Sequence, residues 1–147
     1  MANMEITGTS HAPDLAWLLT TVERRLVTRT SAVLEALGGT LEEWRVTALL
    51  ADGAGHPMTE VAEHALLAPP TVTKIVDRMV ANDLVHRRVD EADRRRVLVF
   101  LSERGRAAHE RFSAALSLDR AELAATLGEP ELACLTELLA HLATRLP

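Results

Sequence analysis

The sequence predicts a mainly α-helical protein with one small β-hairpin, an α+β arrangement in a single domain. Three observations carry this reading. Apolar residues recur at three- and four-residue spacing along most of the 147 residues, the pattern of helices buried on one side. Between positions 85 and 101 the period changes to two, as in paired strands. The chain is 48% hydrophobic, enough at this length for one core.

Each element has its own local signal. Pro13 and Asp14 fit a first turn, after which Leu15, Leu18, Leu19, Val22, Leu26, Val33, Leu34 and Leu37 form an apolar stripe that ends at Gly38-Gly39. Thr40-x-x-Glu43 is a capping-box pattern opening a second helix with Trp44, Leu49 and Leu50, which stops near Gly53. A shorter helix is expected from Met58 to Leu67, with Thr59 as its N-cap and Val61, Ala62 and Leu66 facing inward. After a short turn, Pro69 and Pro70 mark the start of another helix, because proline is tolerated where helix N–H groups have no partner. Its residues Val72, Ile75, Val76, Met79 and Val80 share one side and leave Thr71, Thr73, Lys74, Asp77 and Arg78 toward water. Two helices joined by so short a turn fit a helix-turn-helix, with the second as recognition helix.

The hairpin follows directly. Val85, Arg87 and Val89 alternate with His86 and Arg88, and after a turn across Asp90 to Arg95 the residues Val97, Val99 and Leu101 alternate with Leu98 and Phe100. A hairpin in this position is a wing. Ser102 caps a long helix running to Leu127, interrupted before Gly128, Glu129 and Pro130. The last helix spreads Leu132, Leu135, Leu138, Leu139, Leu142 and Leu146 over adjacent stripes. That is more apolar surface than one-sided packing uses, so a partner subunit is expected on it.

Charge points to the partner. Residues 69–105 hold eight Lys/Arg against six Asp/Glu, inside a chain of net charge −5. Arg94, Arg95 and Arg96 are consecutive at the expected hairpin tip. Cations concentrated on a small protrusion suit a polyanion, and double-stranded DNA is the first candidate. The ordinary alternative is a solvated hairpin whose arginines pair with Asp90, Glu91 and Asp93.

Over residues 58 to 105 the sequence resembles the MarR-type winged helix-turn-helix transcription regulators. The resemblance rests on TVTKIVDRMVANDLVHR and on DEADRRRVLVFLSERG, where the family shows Asp-x-Arg, an alternating strand, Leu-Thr/Ser and Gly; here these are Asp93, Arg95, Leu101, Ser102 and Gly105. Asp83 departs from it, standing where the family usually has Gly, and is expected in the left-handed conformation that Asp adopts at modest cost. The resemblance implies a winged helix-turn-helix with N- and C-terminal dimerisation helices. Within a single domain of residues 1–147, the DNA-binding lobe would span 40–105 and the helical dimerisation region 10–38 and 106–147.

It also implies residue roles. Arg95 is the candidate for insertion into a narrow minor groove, where negative potential is concentrated, and Asp93 would orient it by a charge-assisted hydrogen bond. Arg87, Arg88, Arg94 and Arg96 are expected to touch phosphates or pack their stems on the wing. Pro70, Thr71, Thr73, Lys74 and Arg78 lie toward the end of the recognition helix that enters the major groove, where N–H groups and helix dipole favour phosphate. The family often holds a small aromatic or phenolic effector between dimer helices and lobe. Trp17 and Trp44 are candidate walls for that cavity and Arg45 a candidate to meet a carboxylate, against core packing as the ordinary role of each tryptophan.

The expected protein is therefore a homodimeric transcriptional regulator on a pseudo-palindromic operator, released by a small-molecule effector. Repression is the commoner mode in the family, and nothing in the sequence separates it from activation. The alternatives are a winged-helix protein-interaction module without DNA binding, or a zinc- or redox-responsive regulator. His109 with Glu110 is a candidate zinc pair, but no His-x-x-x-His spacing occurs. Cys134, the single cysteine, reads as a buried small hydrophobe and excludes an intrachain disulfide. Neither a Gly-x-Ser-x-Gly elbow nor a phosphate-binding glycine loop is present, so no enzyme, metal or cofactor is expected. Two Trp, two Phe and no Tyr give single-strand stacking little to work with. No apolar run approaches the ~20 residues of a membrane span, and the N-terminal segment MANMEITGTSHAPD lacks the basic start and long apolar stretch of a leader. A cytoplasmic protein is expected.

Overall fold

The computed structural model describes residues 13–147, so positions 10–12 of the expected dimerisation region lie outside the described residues. Six helices and three short strands follow one another: α1 (Leu15–Glu35), α2 (Leu41–Leu50), β1 (His56–Pro57), α3 (Met58–Ala65), α4 (Pro69–Ala81), β2 (Val85–Val89), β3 (Val97–Leu101), α5 (Glu103–Leu127) and α6 (Glu129–Arg145). The fold is mainly α with a winged helix-turn-helix lobe between terminal helices.

Capping explains most boundaries. Asp14 accepts a hydrogen bond from the Trp17 N–H at 2.8 Å and starts α1. Thr40 and Glu43 form the reciprocal capping box of α2, both bonds at 3.2 Å. Ser102 accepts from the Gly105 N–H at 2.9 Å and starts α5. Thr59 is not the cap of α3: Pro57 occupies that position without a side-chain bond, and Thr59 lies exposed in the first turn. The reason is β1, two residues that pair with β3 and carry the chain straight into the helix. So short a strand, ending in proline, leaves no alternating pattern to read.

Leu66 also departs from expectation. It takes the left-handed conformation at φ 58° and is 76% exposed, while Ala65 and Val61 fill the interior. Reversing the backbone hand ends α3 and swings this side chain outward, leaving Leu67 to pack on the core. Asp83 is left-handed as expected, at φ 56°. Val80, expected inward, stands at the exposed margin of α4.

One core holds the lobe together. Val46 and Leu50 of α2, Val61 of α3, Val72, Ile75, Val76 and Met79 of α4, and Val85, Val99 and Leu101 of the sheet pack as one cluster. Each fully buried side chain of this size contributes ~1.5–3 kcal/mol. The strands run antiparallel in the order β1-β3-β2, with Val85 opposite Leu101, Arg87 opposite Val99 and Val89 opposite Val97. Only the base of the hairpin reaches the core. Val89 and Val97 stay exposed because the hairpin continues past the lobe.

A second cluster joins the lobe to the long helices. Leu34 of α1 with Ala108 and Phe112 of α5 are buried against Leu37, Leu41, Trp44 and Leu116. Gly39 lies against the Phe112 ring so closely that a Cβ there would be 2.3 Å from Phe112 Cζ. Toward its N-terminus α1 is not covered by the described residues, which leaves Leu15, Trp17, Leu18 and Val22 exposed. On α6, Leu135, Leu138 and Leu139 are likewise exposed, and so is Cys134, contrary to its expected burial. Among the described residues no helix is long and apolar enough to cross a membrane.

Candidate nucleic-acid interface

Burial of Val72, Ile75, Val76 and Met79 sets the rotation of α4, and the helix therefore presents Thr71, Thr73, Lys74, Asp77 and Arg78 outward. Its first turn offers fewer backbone donors than a helix start ordinarily does. Pro69 and Pro70 have no N–H, and the N–H groups of Thr71 and Val72 both turn back to the Ala68 carbonyl, at 3.0 and 3.1 Å. The expected backbone cradle for phosphate is thus not formed. The positive end of the helix dipole and the side chains remain. Thr73 donates its hydroxyl to the Pro69 carbonyl at 2.9 Å, so toward a base edge it keeps its methyl and an acceptor lone pair.

The cations divide into tethered and free. Arg87 Nη2 lies 2.6 Å from Asp77 Oδ1, a bond between β2 and α4 that ties the wing to the recognition helix. Arg78 Nε is 3.7 Å from Glu43 Oε1, so the carboxylate that caps α2 also faces α4. Arg88 lies over the Phe100 ring at 5.7 Å, with His86 stacked on the same ring. Its guanidinium therefore lies against the wing's own aromatic ring. Lys74, Arg94 and Arg95 form no ion pair among the described residues, and all three are exposed.

The wing tip is held by aspartates through its backbone. Asp90 accepts from the Ala92 N–H at 2.9 Å, the Asp90 N–H donates to the Arg96 carbonyl at 2.9 Å, and the Arg96 N–H donates to the Asp93 carbonyl at 2.9 Å. Asp93 Oδ1 accepts from the backbone N–H of Arg95 at 3.0 Å. That corrects the expected role of Asp93: it shapes the turn and does not bond the guanidinium. A short carboxylate two residues earlier reaches a backbone N–H within the turn more readily than the end of a long arginine. Among the described residues Arg96 alone of the three tip arginines has an ion-pair partner, Asp90 Oδ2 at 4.0 Å from Nη1.

A separate cleft of about 320 Å³ opens between α1, α2, α5 and α6. Trp44 forms one wall, with Leu26, Leu116, Leu123 and Leu132 as apolar neighbours and Asp119 and Arg120 at the polar side. The Trp44 ring stacks on His109 at 5.1 Å between centroids and 4° between planes. Burial holds the His109 pKa below its ordinary value, with Glu110 opposing. Of the cleft's polar residues, Asp119 pairs with Arg29, whose Nε lies 2.6 Å from Oδ1, and Arg120 pairs with Glu129 at 3.0 Å. Neither Trp17 nor Arg45 joins this site: Trp17 is 56% exposed on α1, and Arg45 donates to the Ala65 carbonyl at 3.2 Å. Among the described residues no group of three His, Cys, Asp or Glu is arranged to hold a metal.

Sequence reasoning missed Asp77, Glu43 and Phe100, the partners that restrain Arg87, Arg78 and Arg88. Only Glu43 had a signal of its own, the capping box, and that signal says nothing of a second partner.

Known proteins share this architecture. The MarR family model matches residues 40–97, from the cap of α2 to the first residue of β3. The HTH-type transcriptional regulator FarR of Neisseria gonorrhoeae is 28% identical over 118 residues, 80% of this chain and 81% of that protein. The crystal structure of a MarR family transcriptional regulator from Silicibacter pomeroyi is 30% identical with TM-score 0.77, covering 88% of this chain and 93% of the other. A MarR family protein of Mycobacterium tuberculosis in complex with salicylic acid is 28% identical with TM-score 0.73, covering 90% and 98%. An exposed recognition helix, an arginine-tipped wing tied to it, and relatives matched over nearly their whole length agree, and the chain belongs to the MarR family of DNA-binding transcriptional regulators.

Proposed function

We propose that this regulator acts as a homodimeric repressor that binds a pseudo-palindromic operator in the cytoplasm and is released by a small aromatic acid. The observation that carries the DNA reading is the pair Arg94 and Arg95, without ion-pair partners among the described residues, on a hydrogen-bonded tip whose strand β2 is joined to α4 through Arg87 and Asp77. Because β2, which leads to the tip, is bonded to the recognition helix, α4 in the major groove would bring Arg95 toward the adjacent minor groove. Lys74 and Arg94 neutralise phosphates, and Thr71, Thr73, Pro70 and Arg78 face base edges or backbone. Arg87, Arg88 and Arg96 serve first as struts of the wing, with Asp93 shaping its turn. Replacing Arg95 by Ala should weaken operator binding by ~1–3 kcal/mol at fixed salt, the worth of a well-placed specific contact, with folding unchanged. Unaltered affinity would remove the wing from the mechanism.

The dimer reading rests on exposed apolar surface on α1 and α6, including Leu15, Leu18, Leu135 and Leu138. A second copy is the partner that would cover both helices at once and set two recognition helices about one DNA turn apart, ~10 base pairs. The effector reading rests on the Trp44 cleft, between the helices of the proposed dimer region and α2 of the lobe, and on the salicylic acid held by the Mycobacterium tuberculosis relative. Release requires the ligand to prefer the spacing that does not bind DNA; equal affinity for both spacings would shift nothing.

A further inference from the structure

His56 has a setting that neither the fold nor the DNA face accounts for. Its side chain is 14% exposed, and both ring nitrogens meet carboxylates: Nδ1 lies 2.7 Å from Glu60 Oε2, and Nε2 lies 2.7 Å from Asp52 Oδ2. A neutral imidazole has one N–H and turns a lone pair on the second carboxylate, whereas the imidazolium donates to both. The Glu60 hydrogen bond raises the His56 pKa above its ordinary value, partial burial opposes it, and Asp52 adds to the rise. Asp52 is held low first by the Ala54 N–H and then by His56.

The three groups belong to three segments: Asp52 to the turn after α2, His56 to β1, and Glu60 to the first turn of α3. β1 covers the outer edge of β3, with His56 opposite Val99 and Pro57 opposite Leu98. It is two residues long, and Pro57 cannot donate to the ladder, so backbone pairing alone secures it weakly. β3 is the returning strand of the wing.

We propose that His56, as an imidazolium held between Asp52 and Glu60, is a positioning residue for DNA binding: it fixes β1 against β3 and so sets the direction in which the wing leaves the lobe. The proposal rests on the reading that the wing tip touches DNA. The charged groups facing the ring are Asp52 from the α2 turn and Glu60 from α3, while β3 presents apolar Val99 in register. The folded-state pKa is raised. The clamp is therefore complete below the unfolded imidazole value of ~6.5 and is lost as pH rises through the raised value.

The test uses the full chain and a duplex selected from a random pool by the wild-type protein. Affinity is measured from about pH 6 to about pH 9, across and above the imidazole range, for wild type, His56→Gln and Arg95→Ala, alongside hydrogen exchange of the β3 amides. Wild type should lose roughly fivefold in affinity across the range, the low end for coupled sites. His56→Gln, which cannot donate to both carboxylates, should bind at the weak level throughout with faster β3 exchange. A His56→Gln profile that superimposes on wild type while Arg95→Ala still weakens binding would overturn the role of His56 and leave the wing reading standing. No effect of Arg95→Ala would overturn both. If His56→Gln does not fold, Asp52→Asn keeps the Ala54 turn and the Glu60 bond while removing one charge; it should flatten the profile, and an unchanged profile overturns the proposal.

Discussion

Gly105 is the residue of the wing signature whose purpose the structure explains most directly, and Gly105→Ala tests it. Gly105 is buried in the first turn of α5, where a Cβ would lie 1.9 Å from the Leu84 carbonyl oxygen and 3.0 Å from Leu101 Cδ2. That carbonyl cannot move freely, because it accepts the Ser102 N–H at 3.1 Å. The neighbouring Asp83 carbonyl accepts the Ser102 hydroxyl at 2.5 Å. Relief must come from a shift of α5 away from the entry of β2. Overpacking against backbone costs ~1–3 kcal/mol, and disturbing the Ser102 cap costs ~1 kcal/mol more. Replacing glycine by alanine inside a helix returns ~1 kcal/mol. The net expectation is a loss of ~1–3 kcal/mol, and the sign is what separates this account from helix propensity alone. Urea unfolding by circular dichroism at fixed protomer concentration measures it. A variant as stable as wild type, or more stable by about the propensity gain, would refute the close-approach argument.

Three further outcomes follow from the other surfaces. If Lys74 meets a phosphate, Lys74→Ala should lower affinity alike on all sequences and reduce the salt slope by about one unit; a changed sequence preference would mean a base contact instead. Leu138→Glu, at a position 61% exposed in the single chain, should leave the isolated fold intact yet disrupt assembly in sedimentation, since an unpaired charge in an apolar interface costs several kcal/mol; an unperturbed dimer would move the interface off α6. Salicylate titrated into the full chain should change the fluorescence of Trp44, compared with a Trp17→Phe variant that leaves it as the sole tryptophan, and lower operator affinity in parallel. A fluorescence change without DNA release would make the cleft a binding site and not the switch.

Signals confined to one helical turn were legible in the sequence. The caps at Thr40 with Glu43 and at Ser102 stand where their side chains bond, because a cap is decided by residues three apart; Asp14, expected in the first turn of α1, is instead its cap. The inward face of α4 was legible for the same reason, Val80 at its margin excepted, because periodicity is a property of consecutive residues; the left-handed Asp83 was legible through the family pattern, which has Gly there. The family signature located the lobe and the arginine tip.

Tertiary structure decided what depends on segments far apart in the chain. β1 exists only because β3 lies beside it, its partners Leu98 and Val99 standing 41 and 43 positions later in the chain. Thr59 lost the capping role, and Leu66 turned outward, because the path of the chain into and out of α3 was set by those neighbours. Asp93 used its carboxylate on the Arg95 backbone, while Arg87 found Asp77 on another element. Trp44 entered a cleft and stacked on His109, sixty-five positions away, whereas Trp17 and Cys134 stayed exposed on faces of α1 and α6 that none of the described residues covers. Residue pattern specifies which face of an element is apolar, but which group meets that face is a matter of packing, and a histidine such as His56 acquires its charge partners only when the turn, the strand and the helix around it have closed.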